Sequence, residues 1–266
     1  MQVAAPARGE RPVEWADILQ RAAIAVVAVG VLAQAYVVIE ARPQDIPGGI
    51  AGILDILRRG IPPDLTVLRD SIKAALVTLD VAIIGTSVPI VISLPLAFLA
   101  AENVTPSRLA YTAARTVIAV CRIVPDVVWA LLFVAAVGLG PFAATLGLAV
   151  HSIGILGRLY AEAIEDVNMA SIDALSVIGA NRVQIAAHAV LPSVLPTMTG
   201  LTLYRMDTNV RSSLVLGFVG GGGLGFGIET ALNLFQYQRL LTYLLVMGVL
   251  IAAVESVAVA LRRRIH

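Results

Sequence analysis

The sequence predicts an all-α membrane protein of six transmembrane helices, and three observations carry that expectation. Of its 266 residues 58% are hydrophobic and 14% charged, and the mean hydropathy is +0.88. Soluble domains carry about 45–50% apolar and about 25% charged residues. Several apolar runs reach about 20 residues, the length a helix needs to cross a bilayer core. The polar intervals between them, the longest at 40–71 and 161–192, leave no room for a soluble domain. A net charge of +1 excludes the basic face that nucleic acid requires. Cys121 stands alone and can form no intrachain disulfide.

Taken in order, the first span covers 18–39. Arg8 and Arg11 precede it, and Ala33-Gln34-Ala35 resembles a signal-peptidase site. The apolar run continues through Val37, Val38 and Ile39, beyond what a cleaved leader requires, so a retained helix is expected. The interval 41–71 follows. Within it Ile50, Ile53, Leu54 and Leu57 repeat at helical spacing, with Asp55, Arg58 and Arg59 elsewhere on the turn. That pattern predicts a short amphipathic helix at 50–60, lying on the membrane surface or docking an extracytoplasmic partner. The second span covers 72–101 and the third 115–137. The fourth follows Gly140-Pro141 and ends near Tyr160, the fifth covers 193–219 and the sixth 240–261. The chain reads as one transmembrane domain, 1–266.

Arginine placement orients it. With the N-terminus inside, Arg8, Arg11, Arg21, Arg108, Arg115, Arg158, Arg182 and Arg262 to Arg264 fall on the cytoplasmic side, ten in all. Arg42, Arg58, Arg59, Arg69, Lys73 and Arg239, six in all, fall outside. The positive-inside rule favours N-in and C-in.

The cytoplasmic interval 161–192 ends in "DALSVIGANRVQIAAHAVLPSVLP". Ala174, Leu175, Ile178, Ile185, Ala186 and Val190 recur at helical spacing around Gly179-Ala180-Asn181, which predicts two short helices about a glycine-permitted bend. An apolar face on such a loop points to a partner protein. The spacing D-A-L-x3-G-x9-A-x-L-P resembles the "EAA" loop of ABC importer permeases, with Asp173, Ala174, Gly179, Leu191 and Pro192 on the motif. Leu175 and Ala189 depart from the usual Ala and Ile. In that family the loop forms a coupling helix seated in a groove of the ATPase subunit. The chain carries no G-x4-G-K-[ST], so ATP and its magnesium belong to a separate ATPase chain and no cofactor is expected here.

The stretches "VTLDVAIIGTSVPIVISLPLAFLAAEN", "RIVPDVVWALLFVAAVGLGPFA" and "LYRMDTNVRSSLVLGFVGGGGLG" are similar to the phosphonate transporter permeases. With the loop, the resemblance covers about 77–225. It implies a type I importer permease fold in the plasma (inner) membrane. It also implies a homodimer, an ATPase dimer and an extracytoplasmic binding protein as partners, with alternating access moving a phosphonate, phosphite or phosphate. A permease for another small solute, such as methionine, is the nearest alternative. An ion-coupled secondary transporter using Asp80, Asp126, Asp207 or Glu255 is another, although no inverted repeat is evident.

Charged residues deep in a span cost about 2.5–3.5 kcal/mol each on insertion scales, so they face a bundle interior or a watery path. Asp207 and Arg211 stand one turn apart, as do Arg122 and Asp126 beside Pro125, and both spacings predict structural ion pairs. Arg205 has no acidic residue at i±3 or i±4. With Thr208, Asn209 and Ser212, and with Arg211 near the outer end, it is the expected lining of an anion path, in which Arg205 is expected to serve the anion and Arg211, one turn from Asp207, mainly the fold. Gly220, Gly221, Gly222 and Gly223 read as a flexible outer gate or as a helix-ending loop. His151, His188 and His266 lack metal-ligand spacing, and no nucleophile–base motif appears, so no catalysis is expected.

Overall fold

The computed structural model describes residues 15–40 and 42–265, and every regular element among them is helical. The chain divides into two compact units, with the boundary after Asp55. In the first, α1 (Trp15–Val38) runs uninterrupted past Ala33-Gln34-Ala35. The amphipathic segment forms α2 (Ile46–Gly60), whose last turn belongs to the second unit, and Ile50, Ile53, Leu54 and Leu57 are exposed along it. Arg8 and Arg11 lie outside the described residues.

The second unit continues with α3 (Leu68–Ala100), α4 (Arg108–Ile123), α5 (Asp126–Val137) and α6 (Pro141–Glu165). Two short helices follow, α7 (Met169–Val177) and α8 (Arg182–Ile185), then α9 (Leu191–Leu216), α10 (Gly223–Asn233) and α11 (Tyr237–Ile265). Among the described residues five helical stretches are long and apolar enough to cross a membrane, or six if α4 and α5 count as one broken span.

That break corrects the third span expected at 115–137. Proline has no N–H and clashes with the preceding turn, so Pro125 ends α4 and the chain bends by 87° into α5. The missing amide would have served the Cys121 carbonyl; the Trp129 indole Nε1 donates to that oxygen instead, at 3.1 Å. The other ends follow local signals. Ser107 caps α4 by accepting from the Ala110 amide, and Pro141 occupies the first turn of α6. Asn181 and Gln184 cap α8 reciprocally, each side chain accepting the other's amide N–H at 2.8 and 2.9 Å. The two helices about Gly179 thus form as the spacing predicts.

At the far end of α9 the glycine run turns the chain into α10, a helix the hydropathy pattern does not announce. Gly220, Gly222 and Gly223 take φ of +91°, +72° and +68°, a region closed to most side chains. The Thr78 hydroxyl, from α3, receives the Leu224 amide at 2.9 Å and fixes the start of α10. Nearby, Asp64 accepts from Arg239 Nε at 3.2 Å while its own carbonyl accepts from the Thr242 hydroxyl, tying the approach to α3 onto α11. The Thr66 hydroxyl and amide hold the Asp64 carboxyl below the usual carboxylate range.

Helix α6 lies at the centre of this unit, packed by α3, α4, α5 and α9. Lipid tails supply no hydrophobic drive between spans, so close backbone approach through small residues does the work. A Cβ at Gly147 would meet the Ala130 backbone at 2.5 Å, and one at Gly154 the Arg122 amide nitrogen at 2.5 Å. Gly154→Ala therefore overpacks this contact at a cost of about 1–3 kcal/mol, and the detergent-purified protein should unfold at lower temperature. Gly248→Ala, where nothing lies within 4 Å, should leave the midpoint unchanged.

Candidate functional site

Pro89 interrupts α3 as Pro125 interrupts the third span, leaving the Gly85 carbonyl without its helical donor. Asn209 of α9 supplies one. Its fully buried Nδ2 donates to the Gly85 carbonyl at 3.3 Å, to Thr86 Oγ1 at 2.8 Å and to Ser152 Oγ of α6 at 3.1 Å. Ser152 also accepts from Arg205 Nε at 3.1 Å. Four helix turns from three spans are thereby joined by one amide and one hydroxyl.

Arg205 is only 5% exposed, and its Nη2 is buried without an acceptor. No carboxylate pairs with it among the described residues; the acid whose charge favours its cationic form belongs to another helix. Asp126, at the start of α5, exerts an attractive Coulombic pull on it, and His151 shares the same electrostatic neighbourhood. His151 Nδ1 is bonded to the Val124 carbonyl at the break, at 3.0 Å. The expected Arg122–Asp126 pair is not formed. The bend lies between the two residues, Asp126 turns to accept from the Val127 amide at 2.9 Å, and no ion pair joins them among the described residues. The i, i+4 spacing presupposes one continuous helix, and Pro125 removes it.

The other side of α9 is open. Tyr204, Arg211 and Val215 are exposed and Thr208 half-buried along one stripe. Arg211 Nη2 pairs with Asp207 at 3.2 Å as the spacing predicts, with the arginine side chain 53% exposed and the aspartate 20%. The four residues expected on one polar face with Arg211 are therefore divided. Arg205 and Asn209 point into the protomer, Thr208 joins the open stripe, and Ser212 lies half-buried between. Ser152, Thr86 and Trp129, the groups that receive or replace their bonds, escaped the sequence reading. The available signals were a serine beside His151 in an apolar span and a threonine three residues before Pro89.

At the opposite end of the unit from the glycine run, Leu175, Ile178, Gly179, Ala180, Gln184 and His188 line a cavity of about 400 Å³ between α7 and α8. Val177, Ile178 and Val183 around it are exposed. Ala174 is exposed on α7, while Leu191 and Pro192 begin α9 after a π-helical stretch, Ala186–Val190. The side chains of Asp173, Arg182 and Arg262 to Arg264 lie outside the described residues. No cluster of metal-ligating side chains occurs among the described residues.

Residues 93–266 match the family of the binding-protein-dependent transport system inner membrane component. The phosphate-import permease protein PhnE of Mycolicibacterium smegmatis is 41% identical over 221 residues, covering 83% of this chain but 42% of that protein. The phosphite transport system permease protein PtxC of Stutzerimonas stutzeri is 38% identical over 215 residues, covering 81% of this chain and 78% of that one. Among solved structures, the inward-facing MetNI methionine ABC transporter aligns with a TM-score of 0.65 at 21% identity, over 76% of this chain and 98% of that one. At that identity the likeness speaks for the fold. The burial pattern carries its own test. Asn209→Leu strands the Gly85 carbonyl and the hydroxyls around it at about 1–3 kcal/mol per group, and Arg205→Gln removes the guanidinium that bonds α9 to Ser152 of α6. Both should lower folded yield and thermal midpoint in detergent, while Arg211→Gln should match the wild type.

Proposed function

The chain belongs to the family of binding-protein-dependent transport system inner membrane components, a multi-pass protein of the inner membrane, and from that premise we propose that it moves a phosphorus oxyanion across that membrane. In the proposed assembly two copies of the chain enclose the path, an ATPase dimer binds on the cytoplasmic side, and an extracytoplasmic binding protein delivers the solute. The relatives named for phosphate and phosphite import support the solute class.

The observation that carries the reading is the open polar stripe of α9. Charged residues within a span face a bundle interior or water rather than lipid, and Arg211 stands on α9 five residues before its outer end. Tyr204 and Arg211 are exposed and Thr208 half-buried within one protomer, so a second protomer supplies the opposite wall. The paired stripes present two guanidinium groups and several hydroxyls, donors whose planar forks suit a tetrahedral oxyanion. Asp207 moderates each arginine, so that the anion is held and released. Arg205 acts indirectly in this scheme, fixing α9 against α6 rather than touching the solute.

Coupling is assigned to the α7–α8 pair. Its exposed apolar face and cavity suit insertion of a partner surface, and the motif residues Asp173, Ala174, Gly179, Leu191 and Pro192 lie on or next to it. ATP binding and hydrolysis on the partner close the ATPase, shift this pair and rock the membrane halves between inward- and outward-facing states. The glycines 220–223, as the outer closure, supply the backbone freedom that such rocking needs at the end of α9.

Two measurements test this. Arg211→Gln should assemble normally with the ATPase yet reduce uptake of labelled phosphate, phosphite or phosphonate by at least about tenfold, the loss of one charge-assisted contact; unchanged uptake overturns the path. Gly179 sits at φ +82° with open space around its Cα, so Gly179→Leu should distort the bend and abolish solute-stimulated ATPase activity in reconstituted vesicles while leaving the permease in the membrane.

A further inference from the structure

A second cluster of arginines lies away from the α9 stripe. Arg115 and Arg122 of α4 and Arg158 of α6, with Glu162, line a cavity of about 370 Å³ between the two helices. Arg115 and Arg122 stand two turns apart on one face of α4, and Arg158 and Glu162 one turn apart on α6, so the cavity is a ladder of guanidinium groups. Two of the three are neutralised. Arg115 Nη2 pairs with Glu165 at 2.7 Å and its Nε donates to the Ala100 carbonyl at 2.8 Å; Arg158 Nε pairs with Glu162 at 2.5 Å. Arg122 has no carboxylate within ion-pair distance among the described residues, and its buried Nε has no acceptor.

A half-buried guanidinium without a carboxylate partner, on the wall of a cavity in a membrane bundle, is a charge waiting for a counter-ion. Desolvating it without one is costly. Glu162 and Glu165 are occupied by their own arginines, so three cations against two carboxylates leave one positive charge, and it resides at Arg122. Two of the lining side chains are accessible, Arg158 at 46% and Arg115 at 35% exposure. Geometry narrows the ligand. Several rigid N–H forks converging on a cavity of this size favour a compact group with many acceptor oxygens. We propose that this cavity binds a phosphate-class oxyanion, held by Arg122 with Arg158 and Arg115 at its rim, as a site separate from the α9 path. The same chemistry belongs to a free phosphate ion and to the phosphodiester headgroup of an anionic lipid.

The experiment has an arm for each source. It uses the full-length permease in an Arg211→Gln background, so that anion held at the α9 stripe does not contribute and failure of the transport reading stays distinguishable. In the first arm, delipidated protein in detergent is titrated with inorganic phosphate. In the second, protein from vesicles of phosphatidylcholine with or without phosphatidylglycerol is examined for retained lipid by native mass spectrometry. Arg122→Gln should weaken binding by about tenfold or more, the loss of one charge-assisted hydrogen bond, with Arg122→Lys intermediate. A phosphate response alone identifies a free-anion site, and retention of phosphatidylglycerol alone identifies a headgroup site. Should Arg122→Gln not be recovered folded, the charge-neutral pair Arg158→Gln with Glu162→Gln tests the same cavity and should also weaken binding. Binding of neither ligand by the parent, or equal binding by parent and variants, overturns the proposal.

Discussion

Two prolines strip the Gly85 and Cys121 carbonyls of their helical donors inside the bundle, and the way those oxygens are satisfied organises the rest of the unit. Hydrocarbon offers no water to an orphaned backbone group, so each must find a partner within the protein. Asn209 reaches from α9 to Gly85, and the Trp129 indole folds back to Cys121. Each repair fixes geometry at a distance. The first holds α9 against α3 and, through Ser152, against α6. The second stabilises the 87° bend that carries α5 across to pack on the glycine face of α6. Without the bend, Ala130 would not lie at the Cα of Gly147, and α6 would lose the close neighbour its small residues admit.

The same framework separates two arginines six residues apart in one helix. At about 100° per residue, Arg205 turns toward α6 and Arg211 toward the uncovered side. Arg205 gains Ser152 and the field of Asp126; Arg211 keeps only Asp207, one turn away. A buried, tethered cation makes a poor carrier for a passing anion, since each release would leave it uncompensated in low dielectric. A cation at an open face with a moderating aspartate suits transient contact. The division of labour follows from which neighbours each side of α9 meets, rather than from the residue types.

That division was the part least legible in the sequence. Apolar run lengths announced the spans, and the apolar spacing about the Gly179 bend announced α7 and α8, because those signals are local and need no partner. The Asp207–Arg211 pair was legible for the same reason. Arg122 and Asp126 have identical spacing, yet Pro125 stands between them and the helix that spacing assumes does not continue. Arg205 lacked an acid within its own helix; its neighbour arrives from α5, a tertiary fact with no local trace. Helix α10 was hidden because its glycine-rich start reads as a loop until Thr78 is seen to hold the Leu224 amide.

The irregular segments at either end of α9 bear on how a loop movement would reach the path. A π-helical stretch, Ala186–Val190, joins α8 to α9, and a kink at Gly217–Gly221, where Val219 and Gly220 leave helical φ/ψ, joins α9 to α10. Inserted residues of this kind weaken the regular ladder and are frequent at functional sites. Between them α9 is a continuous rod of 26 residues, clamped at its middle by Asn209 and Arg205. A rod held at the centre and loosened at both ends tilts more readily than it bends. In the proposed cycle, displacement of the α7–α8 pair at one end is converted by that clamp into an opposite displacement of the glycine run at the other, with the Arg211 stripe carried between them. The clamp has to be strong and satisfied for this to operate, which is a physical reason for setting the most completely bonded side chain of α9, Asn209, within the helix between its two irregular ends, with Arg211 just beyond it.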